Sequence, residues 1–410
     1  MRPFRPAFVP FAIVAGASAL MACTSLIGVS EIFLDDKKGQ IVGEGGPGGD
    51  GAATPDAVAP DAETTCNADK TSDKANCGAC GHDCLGGACT ASKCQPVQVV
   101  FSASSQPYGL AVDGQNLYYS NVVGDEITGG TVLSVAKDAV GGTGVVIAKT
   151  TDPLIYDLVS DGTQIYIASG SVSYSNGRGS VETFLPDGGA RRTISRGSVP
   201  RALAVDTLNA YWSSPNDTPI TIQGAAKTAV DAGATIVRPN ENGAASLAIS
   251  GDRLFWANDS SGGAVRRCTL AGQTPSCTAP VTVHPNLDGP QAIATNSTLV
   301  IYGAAGLLYA QPKSAAGGTA APFAKNQPQT AGIVADDNDV YWINTGTNNQ
   351  SFKNGDVRKC PIVSGQPQCP GGGDGEILAT SEHNPRVIVM DKKAIYWTVQ
   401  YEGAVWRLAR

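Results

Sequence analysis

One phrase recurs along most of this chain and limits its fold more than any other feature. A short apolar run closes on an anchor residue, usually Asp, and a pair of large residues follows five and six positions later. Asp113 precedes Tyr118-Tyr119, Asp161 precedes Tyr166-Ile167, Asp206 precedes Tyr211-Trp212, and Ser250 precedes Phe255-Trp256. Asn296 precedes Ile301-Tyr302, Asp336 precedes Tyr341-Trp342, and Asp391 precedes Tyr396-Trp397. The seven anchors lie 48, 45, 44, 46, 40 and 55 residues apart. Short apolar segments and Gly-rich turns at this spacing are the signature of β-propeller blades.

Each copy supplies the strands of one blade. The run ending at the anchor is the innermost strand, and the anchor Asp is expected to bond the turn amides, as Asx turns do. The aromatic pair lies on the second strand, where large rings fill the space between blades. Trp212, Trp256, Trp342 and Trp397 share one repeat position, so they are expected in that core and not in a ligand-binding ring. The third strand carries a Gly-x-Val phrase at Gly130, Gly179, Gly263, Gly355 and Gly403. The fourth is a short apolar run such as 144–148.

Nineteen residues follow Asp391, enough for three strands, and Val97–Phe101 at the front offers the fourth. The sequence therefore predicts an all-β chain with a seven-bladed propeller over residues 95–410, closed by an N-terminal strand. Closure of this kind removes exposed strand edges. Cys268 and Cys277 are nine residues apart, as are Cys360 and Cys369, at the same phase of the repeat. Each pair is predicted to staple a hairpin between the third and fourth strands.

The first 94 residues read differently. Arg2 and Arg5 precede an apolar stretch over 7–22, too short and too interrupted by Pro10 for a membrane span. It reads as a secretory signal over residues 1–22. Leu20-Met21-Ala22-Cys23 resembles the lipobox of bacterial lipoproteins, with Met21 where that motif favours a smaller residue. The resemblance implies lipidation at Cys23 and a membrane partner reached through the lipid. Of eleven Cys, setting Cys23 aside leaves ten, which can all pair. Thr24 follows the Cys, so the expected destination is the cell envelope at the outer membrane. Residues 23–65 then hold the lipidated Cys and a Gly/Pro/Ala/Asp-rich tether with little that could pack.

Residues 66–94 hold Cys66, Cys77, Cys80, Cys84, Cys89 and Cys94. This density in so short an exported segment predicts a small disulfide-rich module, with 15 connectivities open. Zinc at Cys77-x2-Cys80 with His82 would need a second such pair, which the sequence lacks. The stretch 76–84 resembles the Cys-rich modules of exported myxobacterial lipoproteins.

The phrase Pro-x-x-Leu-Ala-Val-Asp followed by Tyr-Trp resembles the propeller repeats named NHL and YWTD. Residues 107–113, 200–206 and 385–391 carry it, and blades four and five depart from it at Ser250 and Asn296. The resemblance covers 95–410. It implies a recognition surface for proteins, nucleic acids or glycans, with some lyases and lactonases among such propellers. Net charge of −7 and only 16% charged residues argue against a nucleic-acid partner. The first reading is thus a non-enzymatic binding or scaffolding surface for a protein or glycan. A lyase-like or lactonase-like envelope enzyme and a purely structural envelope component are the alternatives.

The residue five before each anchor marks one rim of the channel. These are Tyr108, Tyr156, Arg201, Ala245, Gln291, Ala331 and Arg386. Arg forks suit carboxylate or phosphate and Tyr suits stacking, so Arg201, Arg386, Tyr108, Tyr156 and Gln291 are the candidate ligand-binding residues. The enzyme reading needs His284 or His383, expected in the loops entering blades five and seven. No phosphate-binding glycine loop and no D-x-D-x-D-G calcium loop is present, and no metal or cofactor is expected. Long polar loops over 168–179, 213–224 and 343–355, with Tyr174 and Phe352, are further places where binding could reside.

Overall fold

In a computed structural model, the described residues are 69–101, 106–121, 129–171, 179–215, 220–241, 243–370 and 372–410. The signal segment, Cys23, the tether, Cys66 and Tyr174 lie outside them. Seven antiparallel sheets follow one another along the chain and form a seven-bladed β-propeller. Each blade runs outward from the axis. Blade 2, for instance, pairs Leu154–Ser160, Ile165–Gly170, Gly179–Phe184 and Arg192–Arg196 in order. Turns joining strands one to two and three to four lie on one face, the turn face. Loops joining two to three, and crossovers to the next blade, lie on the other, the loop face.

The second strands show why the sequence lacks hydrophobic alternation. Ile165–Gly170, Asn209–Ser214 and Ala394–Val399 are buried at every residue, because a blade packs on both neighbours. The four Trp of the repeat are fully buried there. Each indole N–H has an acceptor: Glu241 for Trp256, Gln327 for Trp342, Glu382 for Trp397, and Ser198 with Gln223 for Trp212.

Blade 7 is closed as the sequence predicts. Its own strands are Pro385–Met390, Ala394–Val399 and Ala404–Ala409, and Val97–Phe101 pairs with the last of these. Blade 5 departs from expectation. It has three strands, Ile293–Thr295, Leu299–Ala304 and Leu307–Pro312, and a single bridge from Leu308 to Ala324 in place of a fourth. The segment there, KSAAGGTAAPFAKNQPQ, has too much Gly, Pro and Ala to hold a ladder.

The Cys-rich module has little core beyond its sulfurs, where Cys77, Cys84 and Cys89 cluster. Disulfides join Cys77 to Cys89 and Cys84 to Cys94, and Cys80 is also disulfide-bonded. In the propeller, Cys268–Cys277 and Cys360–Cys369 are bonded across hairpins. The module docks on the closing blade and on the outer strand of blade 6, Glu376–Glu382. Arg407 donates to the Leu85 carbonyl, and Lys93 pairs with Glu376 at 2.5 Å.

The anchors do more than cap a turn. Asp391 Oδ1 accepts the Lys393 and Ala394 amides at 2.8 and 2.9 Å, and its Oδ2 accepts the Tyr396 hydroxyl at 3.2 Å. Asp113, Asp161 and Asp206 repeat this pattern. A cation from the next blade then joins blade to blade. Lys137 of blade 1 donates to Asp391 of blade 7 at 2.7 Å, and Lys227 of blade 3 lies 2.5 Å from Asp161 of blade 2. Arg410 of blade 7 donates to Asp336 of blade 6, and Lys313 of blade 5 to Ser250 of blade 4. Each cation also bonds the backbone carbonyl of its own anchor.

Burial pushes the pKa of Asp161 and Asp391 upward, but the Lys partners and turn amides outweigh it and hold both below the usual carboxylate range. A depressed folded value means stability that is full above the unfolded value of about 4 and lost as pH falls further. Asp391→Ala strands Lys137, the Tyr396 hydroxyl and two turn amides, and should cost about 3 kcal/mol in urea denaturation at neutral pH. Asn296→Ala removes only neutral bonds to Thr298, Leu299 and the Asp336 carbonyl, and should cost nearer 1–2 kcal/mol. The gap between the two variants should narrow as pH falls below about 4.

Candidate functional site: the channel rim on the loop face

The innermost strands begin on the loop face, so residues five before the anchors ring the channel there. Four of the five candidate residues form one arc across blades 7, 1, 2 and 3. The Arg386 guanidinium lies 4.6 Å from the Tyr108 ring centroid, and its Nη2 donates to the Tyr108 hydroxyl at 2.6 Å. The Arg201 guanidinium lies 4.2 Å from the Tyr156 ring centroid. Tyr108 and Tyr156 join the same apolar cluster, with Tyr156 buried and Tyr108 partly exposed. Each Arg lies over a ring from a neighbouring blade, which restricts where its guanidinium can go.

Gln291 is not part of the arc. Its side-chain amide donates to Asp259 at 3.1 Å, tying the crossover into blade 5 to a loop of blade 4. Ala245 and Ala331 complete the opposite side, so the mouth is cationic and aromatic on one half and short-chained on the other.

His284 and His383 do not converge. His284 lies within the fourth strand of blade 4, Cys277–Leu287, and not in a loop entering blade 5. Its Nδ1 is 2.6 Å from the Tyr302 hydroxyl, and its ring meets Tyr302 and Tyr309 edge-on. The run Val281-Thr282-Val283-His284 extends the strand past its expected end, which carries the imidazole between blades 4 and 5. Burial lowers its basicity. His383 does lie in the crossover to blade 7, against Tyr401 and 3.1 Å from the Ser351 carbonyl.

The long loops are shorter than their Gly-x-Val phrases imply. Asn209–Ser214 and Thr221–Ala226 leave few residues between them, and part of 343–355 is a 3-10 turn over Asn348–Gln350. Phe352 is half-buried there, and its carbonyl accepts the Asn384 amide.

Asp157, one residue beyond Tyr156, is a feature the repeat reading missed. The equivalent positions hold Gly109, Ala202, Ser246, Ala292, Gly332 and Val387, so it is the one charged residue of its ring. That contrast is present in the repeat itself. Its carboxylate accepts the Leu158 amide at 2.8 Å and, across the blade junction, the Leu203 amide at 2.7 Å. Asp157 thereby links Tyr156 to the strand that follows Arg201.

No family model matches the chain, and no curated protein matches it. Among solved structures it is similar to selenomethionine-substituted virginiamycin B lyase from Staphylococcus aureus. That alignment has 12% identity, covers 77% of this chain and 98% of the lyase, and gives a TM-score of 0.54. A catalytically inactive histidine-to-alanine variant of that lyase with quinupristin aligns over the same shares, at 12% identity and TM-score 0.51. The nidogen/laminin complex aligns over 51% of this chain and 76% of that one, at 17% identity and TM-score 0.40. At such identity the lyase shares the fold with this chain. This chain is a β-propeller repeat protein.

Burial pushes the Asp157 carboxyl up to about 7, against the lowering effect of its two amide bonds. A raised folded value means that ionisation opposes folding: the penalty is absent below the unfolded value of about 4 and full above the folded one. Asp157→Asn removes that penalty. Urea midpoints at about pH 5 and about pH 8 should show the variant gaining on wild type at the higher pH. Equal differences at both pH values would contradict this account.

Proposed function

We propose that this chain is an exported lipoprotein, anchored at Cys23 to the bacterial envelope, whose propeller is a non-enzymatic recognition module. The reading is carried by one observation: the Arg386–Tyr108 and Tyr156–Arg201 pairs lie side by side on one half of a channel mouth. Two guanidinium forks beside short side chains suit carboxylate or phosphate groups on a protein or glycan partner. The four disulfides with both partners described support export, since such bonds persist in oxidising compartments. The tether over 24–65, about 40 residues long, would hold the propeller roughly 35 Å from the membrane if it behaves as a flexible coil.

Two measurements test the two halves of this proposal. A thermal-shift panel of organic acids, acidic sugars and phosphates should raise the melting temperature of the wild type. At a hundredfold its Kd, a ligand adds about 2.7 kcal/mol to stability by mass action. The Arg201→Ala/Arg386→Ala double variant should lose the shift, and a shift it retains would remove the rim from the reading. In bacterial cells fed labelled palmitate, the wild type should take up label and Cys23→Ala should not. Equal labelling would refute the anchor.

A further inference from the structure

The turn face departs from its own pattern in blades 4, 5 and 6; in blade 6 the Tyr341 hydroxyl donates to Asp339 and not to the anchor Asp336. Blades 1, 2, 3 and 7 tie an anchor Asp to a Tyr hydroxyl. Blade 4 has Ser250 and Phe255 at these positions and blade 5 has Asn296 and Ile301, so neither can make that bond. The turns of blades 5 and 6 are tied to each other instead. Asn296 Nδ2 donates to the Asp336 carbonyl, and the Ser297 amide to Asp337 Oδ1, both at 3.0 Å. The turn of blade 4 is joined to the turn of blade 5 through the Lys313 ammonium. A cavity of about 370 Å³, half open to solvent, lies among the three turns, lined by Ser250, Gly251, Asn296, Ser297, Asp336, Asp337 and Asn338. That volume falls within the range of small-molecule sites.

The bonds already made in the wall narrow the ligand. Asp336 Oδ1 accepts two turn amides and Oδ2 accepts Arg410. Asn296 Oδ1 accepts the Thr298 and Leu299 amides. The Lys313 ammonium donates to Ser250 Oγ and the Asn296 carbonyl, both at 2.7 Å. Lys313 and Arg410 together balance Asp336 and Asp337, so the cavity favours neither a metal ion nor an anion. Beyond these bonds it presents hydroxyls at Ser250 and Ser297, an amide at Asn338, and Asp337 Oδ2. Mixed donors and acceptors of this kind match ligand hydroxyls, which both donate and accept.

We propose that this cavity is a binding site for a neutral polyhydroxyl ligand, a single sugar unit, held by Asp337, Ser297, Ser250 and Asn338. It lies on the face opposite the Arg–Tyr arc, so it does not depend on the rim reading.

Saturation-transfer NMR on the full-length protein tests it, with methyl α-glucopyranoside, methyl α-galactopyranoside and methyl α-mannopyranoside as probes. At least one should receive saturation from the wild type. Ser297→Ala, at an exposed turn position, should lose that signal while keeping the wild-type melting temperature, and Asp337→Ala, which also gives up the bond from the Ser297 amide, should lose it with only a small drop in melting temperature. Asp187→Ala, on an exposed turn of blade 2, should keep the signal. Silence from all three sugars would overturn the assignment, as would a signal that Asp337→Ala retains. A signal that instead disappears in the Arg201→Ala/Arg386→Ala variant would move the sugar to the rim and overturn it too. Calcium chloride alone, titrated by calorimetry, should give no heat that Asp337→Ala removes; such heat would make the cavity a cation site.

Discussion

A propeller must bind each blade to both neighbours, and in this chain the anchor carboxylate meets much of that demand. One Asp side chain caps the turn of its own blade, accepts a Tyr hydroxyl from the second strand, and receives a cation from the next blade. The cation side is reciprocal. While the Lys137, Lys227 and Lys313 side chains reach back to the preceding anchor residue, their own carbonyls accept Arg407, Arg192 and Arg253 from the preceding blade. Such junctions take partly buried charges out of water, so their bonds must be complete to be stabilising. The turn amides, the phenol and the ammonium together supply that completeness at Asp391.

The loop face uses a second device. Glu241 is fully buried and is met by Arg266, Arg238, the Trp256 indole and Asn258. At the equivalent position Gln327 serves Trp342 and Asn344 without any charge. A neutral amide and a fully paired carboxylate thus do the same work. What the position requires is an acceptor for a buried indole N–H, because an unpaired one costs more than the bond contributes. The Arg at the matching place differs in its partner: Arg266 turns to Glu241 and Arg358 to Asp356, while Glu382 serves Trp397 with no Arg paired to it among the described residues, and burial pushes its carboxyl up to about 7.

Blade number, strand order and closure were legible because they follow from the period of the sequence and from one strand in excess at the front. The Trp positions and the anchor turns were legible for the same reason. The blade junctions were not, since their partners are 35 to 270 residues apart and only the fold brings Lys137 to Asp391 or Arg253 to the Lys313 carbonyl. A signal for them did exist. The residue at the matching place near the end of each third strand reads Lys137, Leu185, Lys227, Leu270, Lys313, Ile362, Arg410, a cation in alternate blades. On the rim, sequence position brought out Arg201, Arg386 and their Tyr partners but could not show which stack. It also placed His284 in a loop, because nothing in Val-Thr-Val-His-Pro-Asn marks how far a strand will run.

That alternation has a consequence for closure. A two-blade pattern cannot run unbroken around seven blades, so two like blades must meet once. They meet at blades 7 and 1, where Arg410 and Lys137 follow neighbouring third strands. Asp391 accommodates both, giving its side chain to Lys137 and its backbone carbonyl to Arg410. The same junction holds the N-terminal strand against Ala404–Ala409, the Arg407 bond to the Cys-rich module, and the Arg386–Tyr108 half of the rim. The mismatch therefore falls where the ring is also sealed by a strand from the other end of the chain. That strand also reaches blade 1, since its Gln98 and Val99 carbonyls accept the Gly141 and Gly142 amides, so backbone bonds stand beside the doubled cations at this junction.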